Sequence, residues 1–214
     1  MTMKKAHFTR RRPVPAAPAA PAPTLQERFS IISRQMISQV LDFDENPREH
    51  TICFTGHRKL DSQESKAIAA QLDELLPVCY RKGYHMFLTG GALGFDMLAA
   101  EAVFRLRATY PDAKLGVVIP CADQSCRWST KDCHRYERIL LGADKISVLS
   151  RSYYEGCMMI RNRHMVDHSA LCLCYLNKFK GGTASTVAYA SRMKVPILNV
   201  AMQDACAAYI ASEK

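Results

Sequence analysis

Six short apolar runs recur after residue 47: TICFTG (51–56), HMFLTG (85–90), KLGVVIP (114–120), DKISVLS (144–150), ALCLCYL (170–176) and VPILNV (195–200). They are rich in Val, Ile, Leu, Phe and Cys, as strands buried on both faces should be. Between them the apolar period changes. Leu93, Met97, Ala100 and Phe104 follow four-three-four spacing, one face of a helix, and QESKAIAAQLDELL (63–76) is amphipathic and built from good helix formers. Strands alternating with helices predict an α/β fold, a Rossmann-like three-layer sandwich over residues 47–200. Its sheet is expected to be mostly parallel, with right-handed crossovers and helices on both faces. Residues 201–214 then form a C-terminal segment.

The first 46 residues break this rhythm. RRPVPAAPAAPAPT (11–24) offers nothing that could build a core, so residues 1–23 read as an extended, basic, Pro/Ala-rich disordered arm. From residue 24 an accessory helix is predicted, within 24–46. Leu25, Phe29, Ile32, Met36 and Val40 share a face, and Thr24 with Glu27 fits a capping box. That helix either packs on the domain or mediates self-association into a homo-oligomer. Because the arm has nothing to bury, removing residues 1–23 is expected to leave the melting temperature unchanged and the ligand site competent. Thermal denaturation of the truncated chain checks this, and a drop of more than a few degrees would mean that the arm packs.

Composition narrows the class. Of the 214 residues 48% are apolar, which excludes wholesale disorder. No apolar run approaches the roughly 20 residues that span a bilayer, and the basic start is not followed by the apolar region of a signal peptide. No membrane association is therefore expected. Nine cysteines, an odd number scattered through strands and helices, suit a reducing cytoplasm. The net charge of +9 suggests nucleic acid at first sight, but Lys4, Lys5, Arg10, Arg11 and Arg12 supply five positive charges unopposed by any acid in the first twelve residues. The folded part is only mildly basic; the arm reads first as a solvated tail, with nucleic acid as the alternative partner it could hold.

Three loops at strand ends carry the candidate chemistry. TGHR (55–58) follows the first strand, TGGALGFD (89–96) the second, and GGTASTVAYA (181–190) lies just beyond the fifth. In a parallel sheet these ends share the edge where ligands bind. Gly90, Gly91 and Gly94 can adopt positive φ and let a ligand approach the backbone, while the helix behind them favours an anion. Gly181, Gly182 and Thr183 repeat the device, with a hydroxyl added. One such loop alone would be read as a tight turn; two, plus Arg58 as an anion clamp on the same edge, favour a phosphate site. Asp96 suits either the helix dipole or a ribose hydroxyl, and His57 can titrate near neutrality. These two are the candidate catalytic groups. On this reading Gly91→Val loses the ligand and stays folded.

Taken together, FTGHR (54–58), TGGALGFDMLAAE (89–101), PCADQSCRW (120–128), RNRHMVDHS (161–169) and GGTASTVAYA (181–190) resemble the SLOG superfamily, named for the Smf/DprA and LOG proteins, and within it the YpsA/YspA-type branch. The resemblance implies a Rossmann-like domain that senses or processes a small nucleotide derivative, with ADP-ribose-like ligands suggested. LOG-type members hydrolyse the N-glycosidic bond of nucleoside monophosphates, and DprA-type members bind single-stranded DNA. It adds Thr55, Gly56, Thr89, Arg161, Asn162 and Thr186 to the expected ligand-binding residues. Gly182-Thr183 matches the LOG Gly-Thr, but Thr186 stands where LOG carries a glutamate, and Asn162 where it carries a lysine. Phosphate binding thus carries over better than hydrolysis, and the expected ligand is nucleotide-like with no certain cofactor.

The remaining candidates are weaker. Cys121, Cys126, Cys133 and His134 lack the Cys-x-x-Cys spacing of a zinc site, so no metal is expected. Cys172 and Cys174 read as small buried hydrophobes, and Met158 and Met165 as helix-core residues. Trp128 beside Arg127, and Tyr153-Tyr154, either pack or stack on a base.

Overall fold

The structure, a computed structural model, describes residues 47–213; the predicted arm and accessory helix lie outside the described residues. All six apolar runs are strands: β1 (Thr51–Gly56), β2 (Met86–Thr89), β3 (Lys114–Ile119), β4 (Lys145–Val148), β5 (Leu171–Tyr175) and β6 (Ile197–Asn199). They pair in the order β4-β3-β2-β1-β5-β6, and every pairing is parallel, so the sheet is wholly rather than mostly parallel. The helices are α1 (Ser62–Arg81), α2 (Phe95–Leu106), α3 (Thr130–Gly142), α4 (Cys157–Asp167), α5 (Gly182–Arg192) and α6 (Gln203–Ala211).

Strand alternation sorts the core into two layers. Ile52, Phe54, Phe87, Leu115, Val117, Leu171 and Leu173 face α1, α2, α3 and α6, where Leu72, Leu75, Val103 and Ile139 meet them. Cys53, Met86, Leu88, Val118, Cys172 and Cys174 face the other way, toward Met165 and Val166 of α4 and Ala190 of α5. The thinner second layer explains the cysteines. Cys53 and Cys172 are register partners on β1 and β5, and small side chains let α4 and α5 come close. Cys172 and Cys174 are buried as expected. Of the two methionines assigned to the helix core only Met165 is buried; Met158, two turns earlier on α4, is half-buried and faces the ligand edge. Trp128 packs edge-on against Tyr136, with ring centroids 5.2 Å apart.

Local signals set the helix starts that matter for the site. Asp61 caps α1 by accepting from the Glu64 backbone at 2.8 Å, and Glu64 returns the bond to the Asp61 N–H at 3.0 Å. Such a box is worth about 1 kcal/mol. From β1 the strand order runs outward through β2, β3 and β4, then returns to the other side of β1 for β5 and β6. The carboxyl ends of β1 and β5 therefore flank the switch point, with Thr55 beside Cys174 and Gly56 beside Tyr175. A crevice at such a point is the ligand site that parallel sheets provide.

A candidate anion-binding site at the switch point

A cavity of about 320 Å³ occupies that crevice. Thr55, Gly56, His57 and Arg58 line it from the end of β1, and Asp96 from the first turn of α2. Arg161 and Asn162 come from α4, and Gly181, Gly182 and Thr183 from the start of α5. Sequence reasoning missed Ala92, Met158 and Lys180, which also line it. Lys180 was within reach, since it directly precedes the second glycine pair. Thr186 sits one turn further along α5, on an adjoining groove of about 670 Å³ between α4 and α5 that shares Met158, Asn162 and Gly182 with the cavity.

The two glycine loops turn out to do different work. Thr89, Gly90, Gly91 and Gly94 do not line the cavity; the missing side chains of the three glycines make room for the protein itself. A Cβ on Gly90 would collide with the Arg161 guanidinium, and one on Gly94 with the backbone carbonyls of His57 and Arg58. A Cβ on Gly91, at φ +60°, would lie 2.8 Å from the Tyr136 ring. Several donors of this loop are spent internally as well. The Phe95 N–H donates to the His57 carbonyl at 3.1 Å and the Ala92 N–H to the Asp96 carboxylate at 3.4 Å. The Thr89 hydroxyl donates to the Asp96 carbonyl at 3.0 Å and accepts from Gly91 N–H at 3.3 Å. The start of α2 thus packs against the loop after β1, and these glycines serve the fit of Arg161, Tyr136 and that loop.

The α5 start is open. Its N-cap Gly181 has φ +91° and supplies no side-chain cap, and a Cβ on Gly182 would meet nothing within 4 Å. First-turn N–H groups of a helix have no intrahelical partner, so they and the dipole favour an anion there. The Thr186 hydroxyl donates to the Gly182 carbonyl at 2.8 Å and accepts from Asn162 Nδ2 at 2.7 Å, tying α5 to α4.

Cations outnumber acids around this opening. Arg58, Lys180 and Arg161 line the cavity against the single carboxylate of Asp96. The Arg58 guanidinium rests on the Met158 sulfur at 3.6 Å. Arg161 is 3% exposed; its Nη1 lies 3.8 Å from Asp96 Oδ2 and donates to the Val118 carbonyl at 3.4 Å. Its Nε has no hydrogen-bond partner among the described residues. Burial works against both charges. It pushes the Asp96 carboxyl up while Arg161 pulls it down, and the guanidinium keeps its proton regardless. A buried cation with a spare N–H, 3.8 Å from its acid, still has a donor that an anion can satisfy.

His57, one of the two candidate catalytic groups, is held by backbone N–H groups. Its Nε2 accepts the backbone N–H groups of Asn177 and Lys178, each at 3.3 Å. Burial and the nearby Lys178 lower its pKa, against an opposing pull from Glu64. The ring is therefore neutral at pH 7, with its proton on Nδ1.

Comparison with known proteins agrees with this architecture. A UPF0398 protein of Bacillus thuringiensis (strain Al Hakam) is 28% identical over 157 residues, covering 69% of this chain and 85% of that protein. One from Staphylococcus haemolyticus is 26% identical over 158 residues, covering 70% and 83%. Among solved structures, DNA processing protein A from Streptococcus pneumoniae superimposes with a TM-score of 0.52 at 18% identity, over 80% of this chain and 58% of that one. DNA processing protein A from Helicobacter pylori, described with its single-stranded DNA binding mode, gives 0.50 at 19% identity over 72% and 65%. The present chain thus spans less than two thirds of either, and the likeness is one of fold. The model of the YspA SLOG family matches residues 52–204, nearly all of the described region, and the chain belongs to that family.

Proposed function

We propose that this protein binds a nucleotide or nucleotide-derived ligand, of the ADP-ribose kind, by its phosphate at the switch-point cavity. The observation that carries the reading is the buried Arg161, with an unpartnered Nε, beside the uncapped start of α5. In this reading the phosphate lies between Arg161, Arg58 and Lys180 on one side and the Gly182 and Thr183 N–H groups on the other. Hydrogen bonds to a charged group contribute about 1.5–3 kcal/mol each, so two or three of them suffice for phosphate-dependent binding. The groove between α4 and α5 continues from the cavity and has room for the rest of such a ligand.

Calorimetric titration against a nucleotide panel tests the proposal. AMP or ADP-ribose is expected to bind and adenosine to bind at least tenfold more weakly; equal affinity for nucleoside and nucleotide would overturn it. The same samples, followed by chromatography, are expected to release little or no free base. N-glycosidic cleavage builds positive charge on the sugar, which a carboxylate stabilises. Thr186 carries no charge, and its hydroxyl is already engaged by Asn162 and Gly182. A missing acid–base group costs about 10²–10⁴-fold in rate. Robust base release by the wild type would replace binding with hydrolysis, and activity confined to Thr186→Glu would mean that the scaffold lacks only its acid.

A second reading, single-stranded nucleic acid, is supported by the fold likeness to the Helicobacter protein and by the basic arm. It predicts oligonucleotide binding that weakens steeply with salt and loses part of that slope when residues 1–23 are removed.

A further inference from the structure

The end of β1 and the loop after β5 are clasped together across the switch point. Two successive backbone N–H groups, those of Asn177 and Lys178, converge on His57 Nε2 at 3.3 Å each. A ring nitrogen accepts only when it carries no proton. The ring also stands edge-on to Tyr175, with centroids 6.1 Å apart. A second hold acts on the same loop. The Asn177 side-chain amide donates to Glu64 Oε1 at 3.2 Å, and the Tyr175 hydroxyl to the same oxygen at 3.0 Å. Glu64 is itself fixed as the capping-box acid of α1. So α1 grips the Asn177 side chain while β1 grips the Asn177–Lys178 backbone. Three and four residues beyond Lys178 lie Gly181 and Gly182, whose backbone opens on the cavity. The stretch between has no regular secondary structure, and Phe179 within it is 86% exposed, so its own packing does little to fix it.

We propose that His57 is a positioning residue: its neutral ring clasps the β5–α5 loop so that Gly181–Thr183 face the ligand, and protonation of the ring opens the clasp. Once Nε2 carries a proton, a donor faces two donors, and the new charge faces Lys178. The ligand half of this inference rests on the nucleotide reading above; the clasp itself does not.

The sign of the pH dependence separates this role from direct contact. A histidine that touched the phosphate would strengthen binding on acidification, whereas a clasp weakens it. The groups facing His57 and its loop are Glu64 from α1, Tyr175 from β5, and Lys178 and Lys180 from the loop itself, with Arg58 next to it and Asp96 across the cavity. Burial lowers the histidine below its ordinary value of 6.5, so the clasp is closed at pH 7 and is lost as the pH falls through that lowered value. Asp96 is pushed up by burial and is controlled by repeating the titration in Asp96→Asn.

The experiment has two readouts on the full chain. Without any ligand, amide hydrogen exchange by NMR is expected to find the Asn177 and Lys178 amides protected at pH 7. His57→Ala should exchange them about tenfold faster or more, and His57→Gln, whose side-chain oxygen accepts but does not titrate, should largely restore protection. With ADP-ribose as probe, wild-type affinity is expected to fall about tenfold between pH 8 and pH 5, with His57→Gln nearly flat. Unchanged exchange in His57→Ala would overturn the clasp, and affinity rising on acidification would make His57 a phosphate contact instead. If ADP-ribose binds the wild type at no pH, the nucleotide reading falls and the exchange data alone decide the clasp.

Discussion

Arg161→Met is expected to abolish phosphate-dependent binding and to cost about 3–5 kcal/mol of stability at pH 8, the usual loss when one partner of a buried ion pair is removed. The wild-type guanidinium lies 3.8 Å from the Asp96 carboxylate, both groups are nearly inaccessible, and Gly90 leaves the space that the guanidinium fills. Methionine has a similar reach and no charge, so Asp96 is left buried without a cation. Its carboxyl is already pushed up by burial and would rise further. Between the unfolded value of about 3.9 and this raised folded value the native state holds more protons than the unfolded chain, so stability falls as the pH rises. The loss in Arg161→Met should thus be smallest near pH 5 and largest near pH 8. Adding Asp96→Asn removes the stranded charge and is expected to recover much of the stability without recovering any binding. Denaturant unfolding at the two pH values, with calorimetry on the folded variants, checks both halves. A single variant as stable as the wild type at pH 8, or one that still discriminates AMP from adenosine, would refute the account.

The sheet was legible in the sequence because each strand is an uninterrupted apolar run between turn signals, and burial on both faces leaves few other ways to place such a run. The shared edge of the three loops followed from the parallel order. What was not legible is how far apart in sequence the site's partners lie. His57 meets Asn177 120 residues away, and Glu64 meets Tyr175 111 residues away; spacing carries no trace of either contact. The roles of the glycines were hidden for a related reason. Turn chemistry marks where a Cβ is unwelcome, but not whether a ligand, a guanidinium or a tyrosine ring takes the space. Met158 was misread because a seven-residue interval marks one face of a helix without saying which part of that face overhangs the ligand edge.

Because the two glycine loops do different work, the same substitution in each is expected to have opposite effects. Gly91→Val is expected to destabilise the protein by about 3 kcal/mol or more, and so to fail as a soluble, non-binding variant. Gly91 sits at φ +60°, where a β-branched residue is strained by about 1–2 kcal/mol or more. Its new Cβ would lie 2.8 Å from Tyr136 Cε2 and 3.2 Å from Val117 Cγ1, and overpacking a core in this way costs about 1–3 kcal/mol more. Gly182→Val should do the opposite. Its φ is not positive and its Cβ would stand in open space, so stability is expected to stay within about 0.5 kcal/mol of the wild type. The isopropyl group would nevertheless overhang the N–H groups at the start of α5, on a residue that lines both the cavity and the adjoining groove. Phosphate-dependent affinity should drop at least tenfold, the loss of about one charge-assisted hydrogen bond or more. Melting curves and titrations of the two variants side by side make the comparison. Wild-type affinity in a folded Gly182→Val would move the phosphate away from α5, while a stable Gly91→Val that has lost the ligand would return it to the loop after β2.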